Sequence, residues 1–158
     1  ARQRLATLES QGCEQDAPPH PVYAQLVQIF AGTEVEVERE GAGARLVIPA
    51  DLLFTVDGVA VRREAAMVVD LLGTAIGLHG DLQIELRGHS DAAATADPMG
   101  RSLATARALM DALVAAHGLE RGRFTVSGRG AGDPRSPGDT PVDRARNRRV
   151  EVWLLPGR

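Results

Sequence analysis

Four segments carry side chains whose types could do chemistry. The first is Gly88-His89-Ser90-Asp91. His, Ser and Asp are the parts of a nucleophilic triad, but triad members come from separate segments so that a proton can pass between facing side chains. Three consecutive residues do not face one another, so the hydrolase reading is rejected and no catalytic residue is expected. The second set is the histidines His20, His79, His89 and His117. None lies three or four positions from another, the spacing that offers two imidazoles to one zinc ion, so no metal site is expected. The third is Gly128, Gly130 and Gly132. No Lys-Ser/Thr pair follows and no strong helix opens there, which excludes a phosphate cradle and reads as a flexible turn. The fourth is Asp143-Arg144-Ala145-Arg146-Asn147-Arg148-Arg149-Val150-Glu151. Guanidinium groups hold carboxylates through two-pronged forks. Nucleic-acid binding would need interleaved aromatics or a recognition helix, and Trp153 stands alone nearby, so no nucleic-acid partner is expected.

Composition narrows the chemistry further. All 18 basic residues among the 158 are arginine, and Asn147 is the sole asparagine. Without lysine there is no Schiff base, no pyridoxal attachment and no phosphate-loop lysine, and no cofactor is expected. The single Cys13 forms no internal bridge. The net charge of −3 is unevenly spread, with the basic excess near the C-terminus. No run of 18 apolar residues is present, so no segment reads as a membrane-spanning helix. The chain starts Ala1-Arg2-Gln3-Arg4 and reads as an internal piece of a longer protein, with any membrane anchor outside it.

The elements that must position these residues follow from periodicity. Residues 1–11 read as a helix, and Gly12, Pro18, Pro19 and Pro21 as a linker. Residues 22–31 suit a short helix. Val35 and Val37 alternate with glutamates, Gly41-Ala42-Gly43 turns, and Leu46-Val47-Ile48 returns, giving a hairpin. Residues 50–61 read as a loop. A helix spans 62–78, a strand 82–86 and a loop 88–99. A second helix spans 101–117, with Leu103, Ala106, Met110 and Leu113 on its apolar stripe. Short strands follow at 124–126 and 150–154, separated by a Gly- and Pro-rich loop over 129–141. The pattern is an α/β sandwich with two main helices on one face of a mixed sheet. We divide it into a helical tail and Pro-rich linker (1–21), a helix and strand extension (22–44) and a main domain (45–158).

In order, Leu53-Phe54, Gly88-His89-Ser90-Asp91, Leu103-Ala104-Thr105-Ala106-Arg107-Ala108, Gly128-Arg129-Gly130, Pro134 and Arg146-Asn147-Arg148-Arg149-Val150-Glu151 resemble the OmpA-like C-terminal domain. This module is shared by OmpA, the Pal lipoprotein and MotB stator subunits. The resemblance implies a β-α-β-α-β-β core and non-covalent, non-enzymatic binding of peptidoglycan at the diaminopimelate of the stem peptide. It implies a periplasmic cell-wall anchor, joined to a membrane only through a segment outside this piece. Asp91 would accept hydrogen bonds from the diaminopimelate ammonium and Arg107 would hold the neighbouring carboxylate. Ser90, Asn147, Arg148, Arg149, Thr55 and Asp57 would line or brace the pocket.

Three departures accompany the resemblance. The loop from Asp91 to Arg107 is one residue longer than the common form, Gly100 replaces the usual Asn, and Ala104 replaces the usual Ser. Losing two hydrogen-bonding side chains keeps open a second reading: the same fold as a protein-interaction or dimerisation module, of stator or secretion-anchor type, with weak or no peptidoglycan binding.

Overall fold

The computed structural model describes residues 18–55, 60–91 and 96–157. The expected helix at 1–11, most of the linker and Cys13 lie outside them. The elements are α1 (Pro21–Ile29), β1 (Glu36–Glu40), β2 (Gly43–Pro49), α2 (Ala50–Leu53), α3 (Ala66–Leu78, entered through a 3-10 turn at Arg63–Ala65), β3 (Leu82–His89), α4 (Pro98–His117), β4 (Phe124–Gly128), α5 (Pro141–Asn147) and β5 (Arg149–Pro156).

Alternation along β2, β3 and β5 puts most of their apolar residues on one sheet face. The strand order is β1-β2-β5-β3-β4; β3 and β4 run parallel and the other pairs antiparallel. Leu46, Val152 and Leu86 form one apolar row across three strands, and Ala44, Leu154 and Ile84 another. Val69, Leu72 and Ile76 of α3 and Ala106, Leu109 and Leu113 of α4 belong to the same buried core. Val22 and Leu26 of α1 join it. The other sheet face is polar: the Arg87 guanidinium lies 3.9 Å and that of Arg45 5.0 Å from the Trp153 ring centre.

The helix expected over 101–117 is present as α4, but it starts three residues earlier and its buried stripe differs in part. The helix begins at Pro98, a residue suited to a first turn, and Asp97 caps it by accepting from the Gly100 amide at 3.0 Å. Its buried residues are Ser102, Thr105, Ala106, Leu109 and Leu113, whereas Leu103 and Met110 are only partly covered. The reason is contact with the sheet. A Cβ on Gly88 would stand 1.9 Å from the Ser102 carbonyl oxygen, and one on Gly128 would stand 2.7 Å from the Leu103 nitrogen. The helix backbone rests directly on the ends of β3 and β4, so its first turns present small residues there. The turn expected at Gly128–Gly132 is present and is tied to its neighbours: Gly130 donates to Ser102 Oγ at 2.9 Å and accepts from the Ser90 amide at 3.0 Å.

Two further segments differ from expectation. Within 50–61, burial of Leu53 and Phe54 folds one turn of helix, and Phe54 bridges to Val61. In the C-terminal Arg-rich run, Pro141 and a reciprocal cap between Thr140 and Asp143 start α5.

Replacing Gly88 with alanine should force α4 off the sheet. Overpacking of this kind costs about 1–3 kcal/mol, so thermal unfolding of Gly88→Ala should show a midpoint several degrees below that of the native chain. Substituting Gly80, where an added Cβ meets nothing within 4 Å, should cost far less.

Candidate functional site

A cavity of about 710 Å³ opens where the C-terminal end of β3 meets α2 and the first turns of α4. That volume is within the range of small-molecule sites. Ala50, Phe54 and Thr55 form one wall, and His89 and Ser90 the floor. Ser102 and Thr105 face it from α4, and the charged groups at its edge are Asp51, Arg62, Arg101 and Arg148.

The geometry centres on Arg148, the residue between α5 and β5. Its Nε and Nη2 donate to the two carboxylate oxygens of Asp51 at 3.1 and 2.8 Å, a forked pair. Its Nη1 donates to Asp91 Oδ2 at 2.7 Å. The hydrogen bonds Arg148 donates to Asp51 raise the guanidinium pKa; burial opposes them and Asp91 adds to them. Asp91 is 4% exposed and Asp51 60% exposed, so one carboxylate lies beneath Arg148 and the other faces solvent. The backbone holds this arrangement: the Ala50 amide donates to the Arg148 carbonyl at 2.9 Å, and Arg62 Nη1 donates to the Asp51 carbonyl at 2.8 Å. Ser90 Oγ donates to the Pro98 carbonyl at 3.2 Å, tying the strand end to the helix start.

Of the residues named from sequence, Thr55, Ser90 and Arg148 line the cavity, and Asp91 lies beneath Arg148. Arg107 does not join them: it is exposed and absent from the cavity wall. Successive helical residues turn by about 100°, so with Thr105 facing the cavity Arg107 points away from it. Arg101 lines the cavity instead. Asp111, one helical turn beyond Arg107, pairs with Arg121 at 2.8 Å. Asp57 lies outside the described residues. Sequence reasoning missed Asp51, Arg62, Arg101, Ser102 and Thr105. Ser102 and Thr105, three apart on an otherwise apolar stripe, were the available signal.

Asn147 and Arg149 brace rather than line. Asn147 Oδ1 accepts from the Ser136 amide at 2.8 Å and its Nδ2 donates to the Ser136 carbonyl at 3.0 Å. Arg149 donates from Nε to Glu151 Oε2 at 2.9 Å and from Nη2 to the Asp133 carbonyl at 3.1 Å. These contacts hold the segment after β4 against the polar face of the sheet. His89 Nε2 lies 3.5 Å from Glu151 Oε2, and neither ring nitrogen of this buried side chain has a hydrogen-bond partner among the described residues. Burial pushes the Glu151 carboxyl up, but His89 and Arg149 beside it outweigh burial and hold it down at about 2.

Tertiary packing brings together two histidines that sequence spacing left apart. His20 and His79 meet edge to face with ring centres 4.9 Å apart, although 58 residues separate them in sequence.

A mixed five-stranded sheet carrying helices on one face, with a charged cavity at a strand end, defines an α/β domain. The OmpA family model matches residues 53–148, and the chain belongs to the OmpA family. Among solved structures it is similar to a MotB-like protein from Desulfovibrio vulgaris, at 26% identity over 85% of this chain and 92% of that one, with a TM-score of 0.76. It is also similar to the cell wall anchor of the type VI secretion system from Pseudomonas aeruginosa, at 30% identity over 83% of this chain and 96% of that one, with a TM-score of 0.74. A curated relative, the photosystem I P700 chlorophyll a apoprotein A2 of Gloeobacter violaceus, is 28% identical over 129 residues. That match takes in 77% of this chain but 15% of the relative's length. Among the described residues no helix is long and apolar enough to cross a membrane.

Glu151 supplies a stability test. Its folded-state pKa is below the ordinary 4.5, so its stabilisation is complete above that pH and is lost as pH falls through about 2. Removing one member of a buried ion pair costs about 3–5 kcal/mol. Glu151→Gln should therefore unfold at markedly lower denaturant at pH 7, and this difference should shrink progressively below pH 4.5.

Proposed function

We propose that the cavity binds the diaminopimelate-containing stem peptide of peptidoglycan without catalysis, and that the chain anchors an envelope component to the cell wall from the periplasm. The observation that carries this reading is the set of opposite charges at the cavity: Arg148 and Asp51 on its edge, Asp91 bonded beneath Arg148, and Arg101 among the same lining residues. Diaminopimelate presents an ammonium and a carboxylate on one carbon. Such a zwitterion requires an anion and a guanidinium at fixed separation, and charge-assisted hydrogen bonds to both give affinity and orientation. The ammonium is received at the Asp51 and Asp91 carboxylates and the carboxylate at Arg101. Arg107 is not part of this assignment. Membership of the OmpA family and likeness to a protein described as a cell wall anchor support it. Ser102 and Thr105 supply hydroxyls on the α4 side, where Gly100 and Ala104 offer none.

Sedimentation with insoluble peptidoglycan tests the proposal. The native chain should pellet with sacculi. Asp91→Asn and Arg101→Gln should each weaken retention by about tenfold, the worth of one charge-assisted contact, while Arg107→Gln should pellet like the native chain. A native chain that stays in the supernatant contradicts the proposal, as does loss of binding in Arg107→Gln with retention in Arg101→Gln.

A further inference from the structure

On the side of the molecule where the helix and strand extension meets the main domain, three side chains from distant parts of the chain converge. His20 stands immediately before α1, His79 immediately after α3, and Asp81 immediately before β3. One ligand atom from each lies within 4.8 Å of the other two. We propose that His20, His79 and Asp81 bind a borderline divalent transition ion of the Zn²⁺ class, supplying two imidazole nitrogens and one carboxylate oxygen and leaving one position for water.

The donor set fits that class. Imidazole and carboxylate at tetrahedral positions suit zinc, whose ligand atoms stand about 3.3 Å apart when metal–nitrogen bonds are about 2.0–2.1 Å. His20 Nε2 and Asp81 Oδ2 are 2.8 Å apart, so they need only open slightly to admit an ion. The Asp81 carboxyl is held in its charged form chiefly by the His20 hydrogen bond. His79 already has the outer contact of a metal-binding imidazole. Its Nε2 donates to Gln25 Oε1 at 2.8 Å, which leaves Nδ1 as the lone-pair atom.

The frame behind the ligands is pinned. The His20 amide donates to the Ala42 carbonyl at 2.6 Å, the His79 carbonyl accepts from Arg123 Nη2 at 2.7 Å, and the Asp81 carbonyl accepts from the Gly157 amide at 2.6 Å. Little backbone order remains to be created on binding. There is one local cost. His20 Nδ1 accepts from the Val22 amide at 3.1 Å, which places the ring proton on Nε2. Ion capture at Nε2 moves that proton to Nδ1 and gives up this cap on α1. A bound ion would thus replace a helix cap with a clip joining α1, α3 and β3.

The test is calorimetric titration of the chelator-treated chain with zinc chloride at neutral pH, with thermal unfolding measured alongside. One ion per chain should bind with a dissociation constant on the order of micromolar, and the unfolding midpoint should rise with zinc. His79→Gln and Asp81→Asn, at partly exposed and exposed positions, should each weaken binding more than about tenfold, and Gln25→Leu by about tenfold. His117→Gln should bind like the native chain. Circular dichroism shows whether each variant is folded. No saturable uptake by the native chain overturns the proposal. So does unchanged affinity in folded His79→Gln, which would put the ion elsewhere. Because peptidoglycan sedimentation does not depend on these residues, its outcome and this one are separable.

Discussion

The cavity depends on a single guanidinium held between two carboxylates. Arg148 lies where α5 ends and β5 begins, Asp51 sits on α2, and Asp91 follows β3, so one side chain joins three separate stretches of the chain. The energetics are asymmetric. Hydrogen bonds to charged groups contribute about 1.5–3 kcal/mol each when made, but an orphaned buried charge costs more than the pair stabilises. Asp91, 4% exposed, would lose a charge-assisted partner with Arg148. The same contact that stabilises the fold therefore sets cation and anion side by side at the cavity edge. In a chain without lysine, this position is filled by the side chain whose planar fork can hold Asp51 through two bonds and still reach Asp91.

Adjacent residues at the start of β5, Arg148 just before it and Arg149 its first, divide their work between two sides of the sheet. Arg148 turns to the cavity. Arg149 turns to the polar face, where Glu151, the Asp133 carbonyl and the Asn147 carbonyl receive it. Asn147 then fastens the segment after β4 through both atoms of its amide to the Ser136 backbone. The run of three residues thus fixes the cavity on one side and a covering loop on the other. The seat of α4 on Gly88 and Gly128 completes the enclosure, because only a helix lying directly on the strand ends brings Ser102 and Thr105 to the cavity.

Much of this was readable from residue order. Alternation at Leu82, Ile84 and Leu86 and at Val150, Val152 and Leu154 located the central strands, and Gly88–Asp91 with Asn147–Glu151 marked both sides of the site. The phase of α4 was not readable. Apolar spacing favoured Leu103 and Met110, but the sheet surface beneath the helix is two glycines wide, and close approach selected Ser102, Thr105 and Ala106 over bulk. Arg107 was named by the resemblance and not by this phase; Arg101 shares the cavity-facing side of the helix with Thr105. Asp51 and Arg62 stayed hidden because their roles come from the short turn built on buried Leu53 and Phe54, a tertiary effect with no periodic signature. The meeting of His20 and His79 was hidden for a simpler reason: helical spacing rules see neighbours along one element, and this pair is formed by packing of two.

The central claim is that opposite charges at the Arg148 cluster, and not the outward face of α4, receive a zwitterionic peptide. Titrating the isotopically labelled chain with a soluble diaminopimelate-containing tripeptide, followed by backbone and arginine side-chain NMR, tests this most directly. The account predicts saturable shifts at Ser90, Asp91, Arg101, Thr105 and Arg148, with Arg107 unmoved. Shifts centred on Arg107 and Asp111, or none at saturating peptide, would contradict it.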